Sequence, residues 1–150
     1  AARLAGCVVA VSYHQVLIDI ATGVHFEGKE RRLGADIRFV LPGQGCLLCC
    51  GGIQNLHDSL HLVIIGEQPE FTNDWQQTRA GSLRSLNQVA TGIALRLAED
   101  FFAERLTQSI WLRLEFDGHG IPAISQMPLT PSTNCFLCER AGSGDGGFAP

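Results

Sequence analysis

The sequence has no block of lysine and arginine residues and no long hydrophobic run. Its densest basic stretch, Lys29–Arg32, is interrupted by Glu30, and the formal net charge is −4. Nucleic-acid-binding domains usually carry a basic patch, so this function is disfavoured. No apolar run reaches the roughly 18 residues that a membrane-spanning helix needs. The start also lacks the basic region and cleavage pattern of a signal peptide. We therefore expect a cytoplasmic protein that binds neither nucleic acid nor membranes.

Common catalytic motifs are also missing. The chain contains no G-x-S-x-G, EF-hand or Walker sequence. The glycine-rich stretch 142–147 resembles a phosphate-binding loop only superficially, because neither a helix nor a Lys-Ser/Thr pair follows it. We interpret residues 141–150 as a flexible tail. No catalytic residue and no nucleotide-binding residue can be assigned from the sequence.

The chain is long enough and apolar enough to fold around a core. It has 150 residues, of which 45% are hydrophobic and 17% are charged, which suits one globular domain or part of a larger one. The first residue is Ala1 rather than Met, and residues 1–15 read as a helix with no capping residue before it. We expect an N-terminal portion to precede this chain.

The most informative residues present are two C-x-x-C pairs. Each pair can offer two thiolates from a tight turn, and two pairs make the four-sulfur shell that structural Zn²⁺ prefers. In a reducing cytosol such pairs favour metal binding over disulfides. Unrelated buried cysteines are the alternative, and a redox-active C-x-x-C is a weaker one. The predicted zinc ligands are Cys46, Cys49, Cys135 and Cys138.

Other candidate ligands have weaker support. Cys50 adjoins Cys49 and could compete for the metal, but the spacing of Cys49 matches that of the downstream pair. Cys7 lies in the first predicted helix and is interpreted as a core residue. His57 and His61 are four residues apart and could share a helix face, but the glutamate of H-E-x-x-H is missing.

Hydrophobic periodicity predicts a mixed α/β chain. Clean alternation over 110–116, a turn at 117–120 and a return over 121–127 predict an antiparallel strand pair. Asp19 lies within an apolar run and must be paired or lie at the end of its strand. The segment 53–65 is ambiguous between helix and strand, and a loop is predicted over 66–80. In the first part of the chain we predict a helix over 1–14, a buried strand over 16–20, a polar loop between Gly23 and Gly28, and a strand over 37–41 that ends in a turn at Pro42-Gly43. A long helix is predicted from Ser82 to Arg105, with Ser82 as its N-cap. Its apolar stripe consists of Leu86, Val89, Ile93, Leu97 and Phe101.

Taken in order, these segments resemble the C-terminal half of the ThiF/MoeB/HesA family, the ubiquitin-activating-type adenylyltransferases. The resemblance covers roughly residues 4–140. It consists of VLIDIATG, a strand ending in PGQGCLLC, the long helix AGSLRSLNQVATGIALRLAEDFF, a Trp-containing strand and the closing TNCFLC. Its most specific part is the order C-x-x-C, long helix, strand pair, C-x-x-C.

The resemblance implies a Rossmann-like α/β fold whose late strands are mixed and antiparallel, with a subregion held by a structural zinc at the four cysteines. It also implies ATP and Mg²⁺ as cofactors of the complete protein. Members of the family adenylate the C-terminal glycine of a ubiquitin-like or sulfur-carrier protein and form homodimers. The nucleotide-binding residues belong to the family's N-terminal half, so this chain alone is not expected to bind ATP properly.

The expected function is therefore that of an enzyme fragment. Residues 1–140 would form part of a ThiF-type adenylation domain, supplying the zinc site and surfaces for the partner and for dimerisation. The loop 66–80 would lie over the partner's tail. Many relatives carry a reactive cysteine before the long helix, and the stretch EFTNDWQQTRAGS has none, which suits members that form no thioester; a reactive Cys50 is the other possibility. The alternative function is a non-catalytic, zinc-stabilised protein-interaction module.

Overall fold

The computed structural model describes residues 2–27, 30–53 and 83–142. Within these ranges no helix is long and apolar enough to cross a membrane. Apart from Ile53 and residues 141–142, the ambiguous segment 53–65, the predicted loop 66–80 and the tail 141–150 lie outside the described residues. The elements are helix α1 (Ala2–Ser12), strands β1 (Leu17–Glu27) and β2 (Glu30–Val40), helix α2 (Arg84–Phe102), strands β3 (Ile110–Phe116) and β4 (Pro122–Met127), and a 3-10 helix (Cys138–Arg140).

The chain divides into two compact units. The first, which we call the cysteine unit, comprises Ala1–Leu17, Val40–Pro69 and Pro128–Pro150, and it contains α1 and all six cysteines. The second, which we call the sheet unit, comprises Ile18–Phe39 and Glu70–Met127.

The sheet unit is built on four antiparallel strands in the order β1-β2-β3-β4. Because side chains alternate along a strand, the apolar residues of β2 and β3 share one face. Ile37, Phe39 and Leu114 on this face are almost completely buried, and Phe101 of α2 lies against Phe39 with ring centroids 5.6 Å apart. The core of the unit therefore lies on this face, as the alternation over 110–116 predicts.

The opposite face of the sheet carries a network of charges that is centred on the buried side chains of Arg38 and Asp19. Arg38 donates to Asp19 and to Asp36, each at 3.0 Å, and its guanidinium stacks over the Trp111 ring at 4.4 Å. Asp36 also accepts hydrogen bonds from Trp111 Nε1 at 2.9 Å and from Arg113 Nε at 2.9 Å. Burial opposes ionisation of Asp36, but these hydrogen bonds keep the pKa of its carboxyl below the ordinary value. Asp19 is thus buried and paired, as its place in an apolar run requires.

The first two strands differ from the sequence predictions in three ways. β1 continues through Gly23 to Glu27, so the predicted polar loop begins too early. Its apolar side chains are also not the buried ones, because Ile18 is 42% exposed and Asp19 only 6%. The ion pair with Arg38 makes this orientation possible, since a charge can be buried when it is matched. β2 likewise begins at Glu30, earlier than the predicted strand 37–41.

The predicted long helix is present, but its N-cap residue and its buried side chains differ from the prediction. Leu83 occupies the N-cap position and makes no side-chain cap, so the prediction of Ser82 as the cap is wrong; Ser82 itself lies outside the described residues. Val89 is 45% exposed, whereas Ala90 is completely buried. The buried side chains of α2 are Leu86, Ala90, Ala94 and Leu97.

Candidate metal centre

The first pair of ligand candidates lies in a glycine-rich turn, residues 45–52, which we call the first cysteine turn. The N–H of Cys50 donates to the carbonyl of Cys46 at 3.2 Å, and the N–H of Gly52 donates to the carbonyl of Leu47 at 2.7 Å. Gly45 and Gly51 flank the turn with φ of 113° and 68°, values that favour glycine. This backbone brings the side chains of Cys46 and Cys49 to the same side, 3.7 Å apart at sulfur.

The second pair lies in a shorter turn near the end of the described chain, residues 134–141, which we call the second cysteine turn. The N–H of Glu139 donates to the carbonyl of Cys135 at 3.0 Å, and a 3-10 helix begins at Cys138. The N–H of Ala141 then donates to the carbonyl of Cys138 at 3.2 Å. Each C-x-x-C therefore occupies a turn closed by backbone hydrogen bonds, as the spacing predicts.

The two turns bring all four predicted ligands together. Cys46 Sγ lies 3.6 Å from Cys135 Sγ, and Cys49 Sγ lies 3.5 Å from Cys138 Sγ. All four sulfurs lie within 4.8 Å of one another, and this set could hold a metal ion. Among the described residues, this is the one group of at least three side chains that could hold a metal ion.

The spacing of the sulfurs fits a tetrahedral metal. A zinc ion bound at about 2.3 Å by four sulfurs places neighbouring sulfurs about 3.8 Å apart. The distances of 3.5, 3.6 and 3.7 Å in the cluster are close to that value. They are far longer than the roughly 2.05 Å of a disulfide bond, and all six cysteines are free. The donor set is therefore compatible with zinc.

The same crowding opposes ionisation of the thiols when no metal is bound. A hydrogen bond with Cys7 and burial raise the pKa of Cys46, and burial raises the pKa of Cys49 and of Cys138. Burial also acts against ionisation of Cys135, but hydrogen bonds from the backbone N–H of Cys138 and from the thiol of Cys49 lower its pKa to about 7. A metal that binds all four sulfurs must therefore displace protons.

The two remaining cysteines lie beside the cluster without belonging to it. Cys50 is buried and its Sγ contacts the carbonyl of Leu47 at 3.7 Å, so the choice of Cys49 over Cys50 agrees with the geometry. Cys7 is completely buried in α1, as expected for a core residue. However, its Sγ accepts the N–H of Leu47 at 3.4 Å, a contact with the first cysteine turn that the sequence does not reveal.

Helix α1 also contacts the second cysteine turn. The N–H of Gly142, just after that turn, donates to the carbonyl of Val11 at 3.2 Å. Because Cys7 and Val11 are four residues apart, they lie on one face of α1. This face therefore touches both cysteine turns and helps to position their sulfurs.

The other polar candidates take structural roles or lie outside the described residues. His57 and His61 lie outside the described residues, so their role as ligands stays a prediction. Asp117 accepts the N–H groups of His119 and Ile121 at 2.9 and 2.8 Å and closes the turn between β3 and β4. These hydrogen bonds, chiefly that from Ile121, lower the pKa of the exposed Asp117 carboxyl.

Comparison with protein-family models, with curated proteins and with solved structures finds no match for this chain.

Proposed function

We propose that this chain is the zinc-bearing C-terminal half of an adenylyltransferase that resembles the ThiF/MoeB/HesA family. One observation carries the proposal: two C-x-x-C turns, separated by a long helix and an antiparallel strand pair, meet in a single four-sulfur cluster. The resemblance requires the two turns to meet, whereas two unrelated cysteine pairs would have no reason to lie together. The antiparallel β3–β4 pair also agrees with the late antiparallel strands of the Rossmann-like fold that we propose for the complete protein.

In this proposal the zinc is structural. Four thiolates fill a tetrahedral shell and leave no position for substrate or water. Zinc at Cys46, Cys49, Cys135 and Cys138 would hold the first cysteine turn to the second, which lies much later in the chain. The residues of this half would therefore stabilise the domain and contribute surfaces for a homodimer and for the protein substrate.

The reaction of the complete enzyme would use residues that precede this chain. ATP and Mg²⁺ would bind there, and the C-terminal carboxylate of a ubiquitin-like or sulfur-carrier protein would attack the α-phosphate. A C–O–P anhydride would form, the bond to pyrophosphate would break, and positive charge would stabilise the phosphates. The segment 66–80 would cover the partner's tail.

Pyrophosphate exchange with ATP on the full-length gene product tests the activity. Exchange that requires the ubiquitin-like partner supports the proposal, and a product with neither a glycine-rich nucleotide loop nor exchange contradicts it. Deleting residues 68–78 should abolish adenylation of the partner while zinc content stays unchanged, because the cysteines lie outside that segment. Retained adenylation would show that this segment does not hold the tail.

A non-catalytic, zinc-stabilised interaction module is the second candidate. It is supported by large apolar side chains that the sheet unit leaves in solvent: Leu95 is 61% exposed and Phe102 is 82% exposed, and both lie on α2. Ile124 on the edge strand β4 is 57% exposed as well. Such side chains can form a contact surface for another protein.

The upstream gene sequence separates the two candidates. A G-x-G-x-x-G turn within about 120 residues before Ala1 favours the enzyme, because a Rossmann-like nucleotide site of about that length would precede this half. A start codon close to Ala1 favours the module. In the second case, the chain should bind a partner without any requirement for ATP.

A further inference from the structure

A small cavity lies within the cysteine unit and reaches three of its thiols. Its volume is about 90 Å³, and Cys7, Cys46 and Cys138 line it together with His14. The rest of the lining is largely apolar, from residues such as Val40. A water molecule occupies about 30 Å³, so the cavity has room for a molecule the size of hydrogen peroxide.

Cys7 is the thiol in this cavity that the metal centre does not use. It is completely buried in α1. Its sulfur accepts the N–H of Leu47 at 3.4 Å, and Leu47 directly follows Cys46. The sulfur of Cys7 is therefore held at the backbone of the first cysteine turn, next to a residue that would ligate the metal.

We propose that Cys7 and Cys46 form a redox pair in which a hydroperoxide entering the cavity oxidises Cys7, and the resulting Cys7–Cys46 disulfide removes one ligand from the metal centre. The proposal rests on the metal centre described above. Its chemical basis is the difference between the two sulfurs: Cys46 would be bound to the metal, whereas Cys7 would not.

The reaction balances in two steps. Cys7 Sγ attacks one peroxide oxygen, so that an S–O bond forms and the O–O bond breaks. The leaving oxygen takes up the thiol proton and departs as water or an alcohol. Cys46 Sγ then attacks the sulfenic sulfur, the S–S bond forms, the S–O bond breaks, and the hydroxide that leaves is protonated to water. The peroxide is reduced by two electrons, and the metal retains three thiolates.

Disulfide mapping on the zinc-loaded chain tests the pairing directly. The chain is treated with hydrogen peroxide, free thiols are alkylated, and the disulfides are located by tandem mass spectrometry after trypsin. Trypsin separates Cys7, on peptide 4–29, from Cys46, on peptide 39–79. We expect a cross-link between these peptides at Cys46, appearing as a chromogenic chelator detects released zinc.

Variants separate Cys7 from the neighbouring thiols. Cys7→Ala should bind zinc but release it at least about tenfold more slowly at the same peroxide dose, because the first nucleophile is missing. Cys50→Ala is the matched control, because it removes another buried thiol that does not line the cavity; its release rate should equal that of the unmodified chain. If Cys7→Ala folds poorly, Cys7→Ser keeps the size of the side chain and removes the thiol.

Several outcomes would overturn the pairing. One is a disulfide between Cys46 and Cys49 in the unmodified chain, and another is zinc release from Cys7→Ala at the unmodified rate. A chain that binds no zinc before peroxide is added would refute the metal centre instead. Mapping on that metal-free chain would still decide whether peroxide joins Cys7 to Cys46.

Discussion

Replacing one ligand sulfur should remove zinc and much of the stability of the cysteine unit. In Cys138→Ser a hydroxyl replaces a sulfur that lies 3.5 Å from Cys49 Sγ and that would bind zinc as a thiolate. Structural zinc contributes about 10–16 kcal/mol of apparent binding free energy. If four equivalent sulfurs share it, loss of one costs about 2.5–4 kcal/mol, which weakens zinc binding roughly a hundred- to a thousand-fold.

Competition with a chelator of known affinity measures this loss, and thermal unfolding measures its consequence. The unmodified chain should retain about one zinc per chain at a chelator concentration that strips the variant, and the variant should melt at a lower temperature. Cys50→Ser is the matched control, because Cys50 is another buried cysteine of the first cysteine turn and is not one of the four sulfurs that could hold the metal. Equal zinc retention by Cys138→Ser and Cys50→Ser, or a metal-free chain of unchanged stability, would refute the reasoning.

Zinc binding at pH 8 should release about three protons, because Cys135, with a pKa of about 7, is the ligand already largely ionised. Calorimetry in buffers of different ionisation enthalpy measures this number. The affinity for zinc should therefore fall steeply as the pH falls. Arg38→Met should lower the free energy of unfolding by about 3–5 kcal/mol in urea, since it removes the guanidinium that donates to the buried carboxylate of Asp19. Arg96→Ala, at an ion pair in which the arginine is 56% exposed, should lower the free energy of unfolding by less than about 1 kcal/mol. Equal losses of stability in Arg38→Met and Arg96→Ala would contradict the greater importance of the buried ion pair. Chelation should increase hydrogen exchange in the two cysteine turns more than in β3–β4, and a uniform increase would contradict a local role for the metal.

The elements that sequence patterns predict well are those governed by local alternation. Strands β3 and β4 and the turn at Asp117 follow from a period of two and from turn chemistry, and the structure has them where predicted. Strand β1 is harder to predict because burial along it does not follow hydrophobicity: Asp19 is buried, whereas Ile18 is 42% exposed. The ion pair with Arg38, in another strand, accounts for the buried charge of Asp19.

For the candidate site, the sequence predicts the four ligands but not the side chains that surround them. The C-x-x-C spacing identifies the four sulfurs, because each pair needs only a tight turn to point both side chains at one ion. Cys7 gives no such signal, since its contact with the turn at Leu47 joins residues far apart in sequence. The sequence indicates the network around Asp36 only in part: Arg38 is two residues away in β2, and Trp111 and Arg113 alternate in β3. The register that brings them together required the structure.

Buried charge is neutralised differently in the two units. In the sheet unit the chain supplies both signs, because the carboxylates of Asp19 and Asp36 meet the guanidinium of Arg38 at 3.0 Å. In the cysteine unit the effects that shift the pKa of the four cluster sulfurs come from burial, backbone N–H groups and other thiols. Four thiolates within 4.8 Å of one another would repel strongly, so complete ionisation requires a cation from outside the chain. A metal ion could supply that cation at the cluster, whereas the carboxylates of the sheet unit meet guanidinium groups of the chain itself.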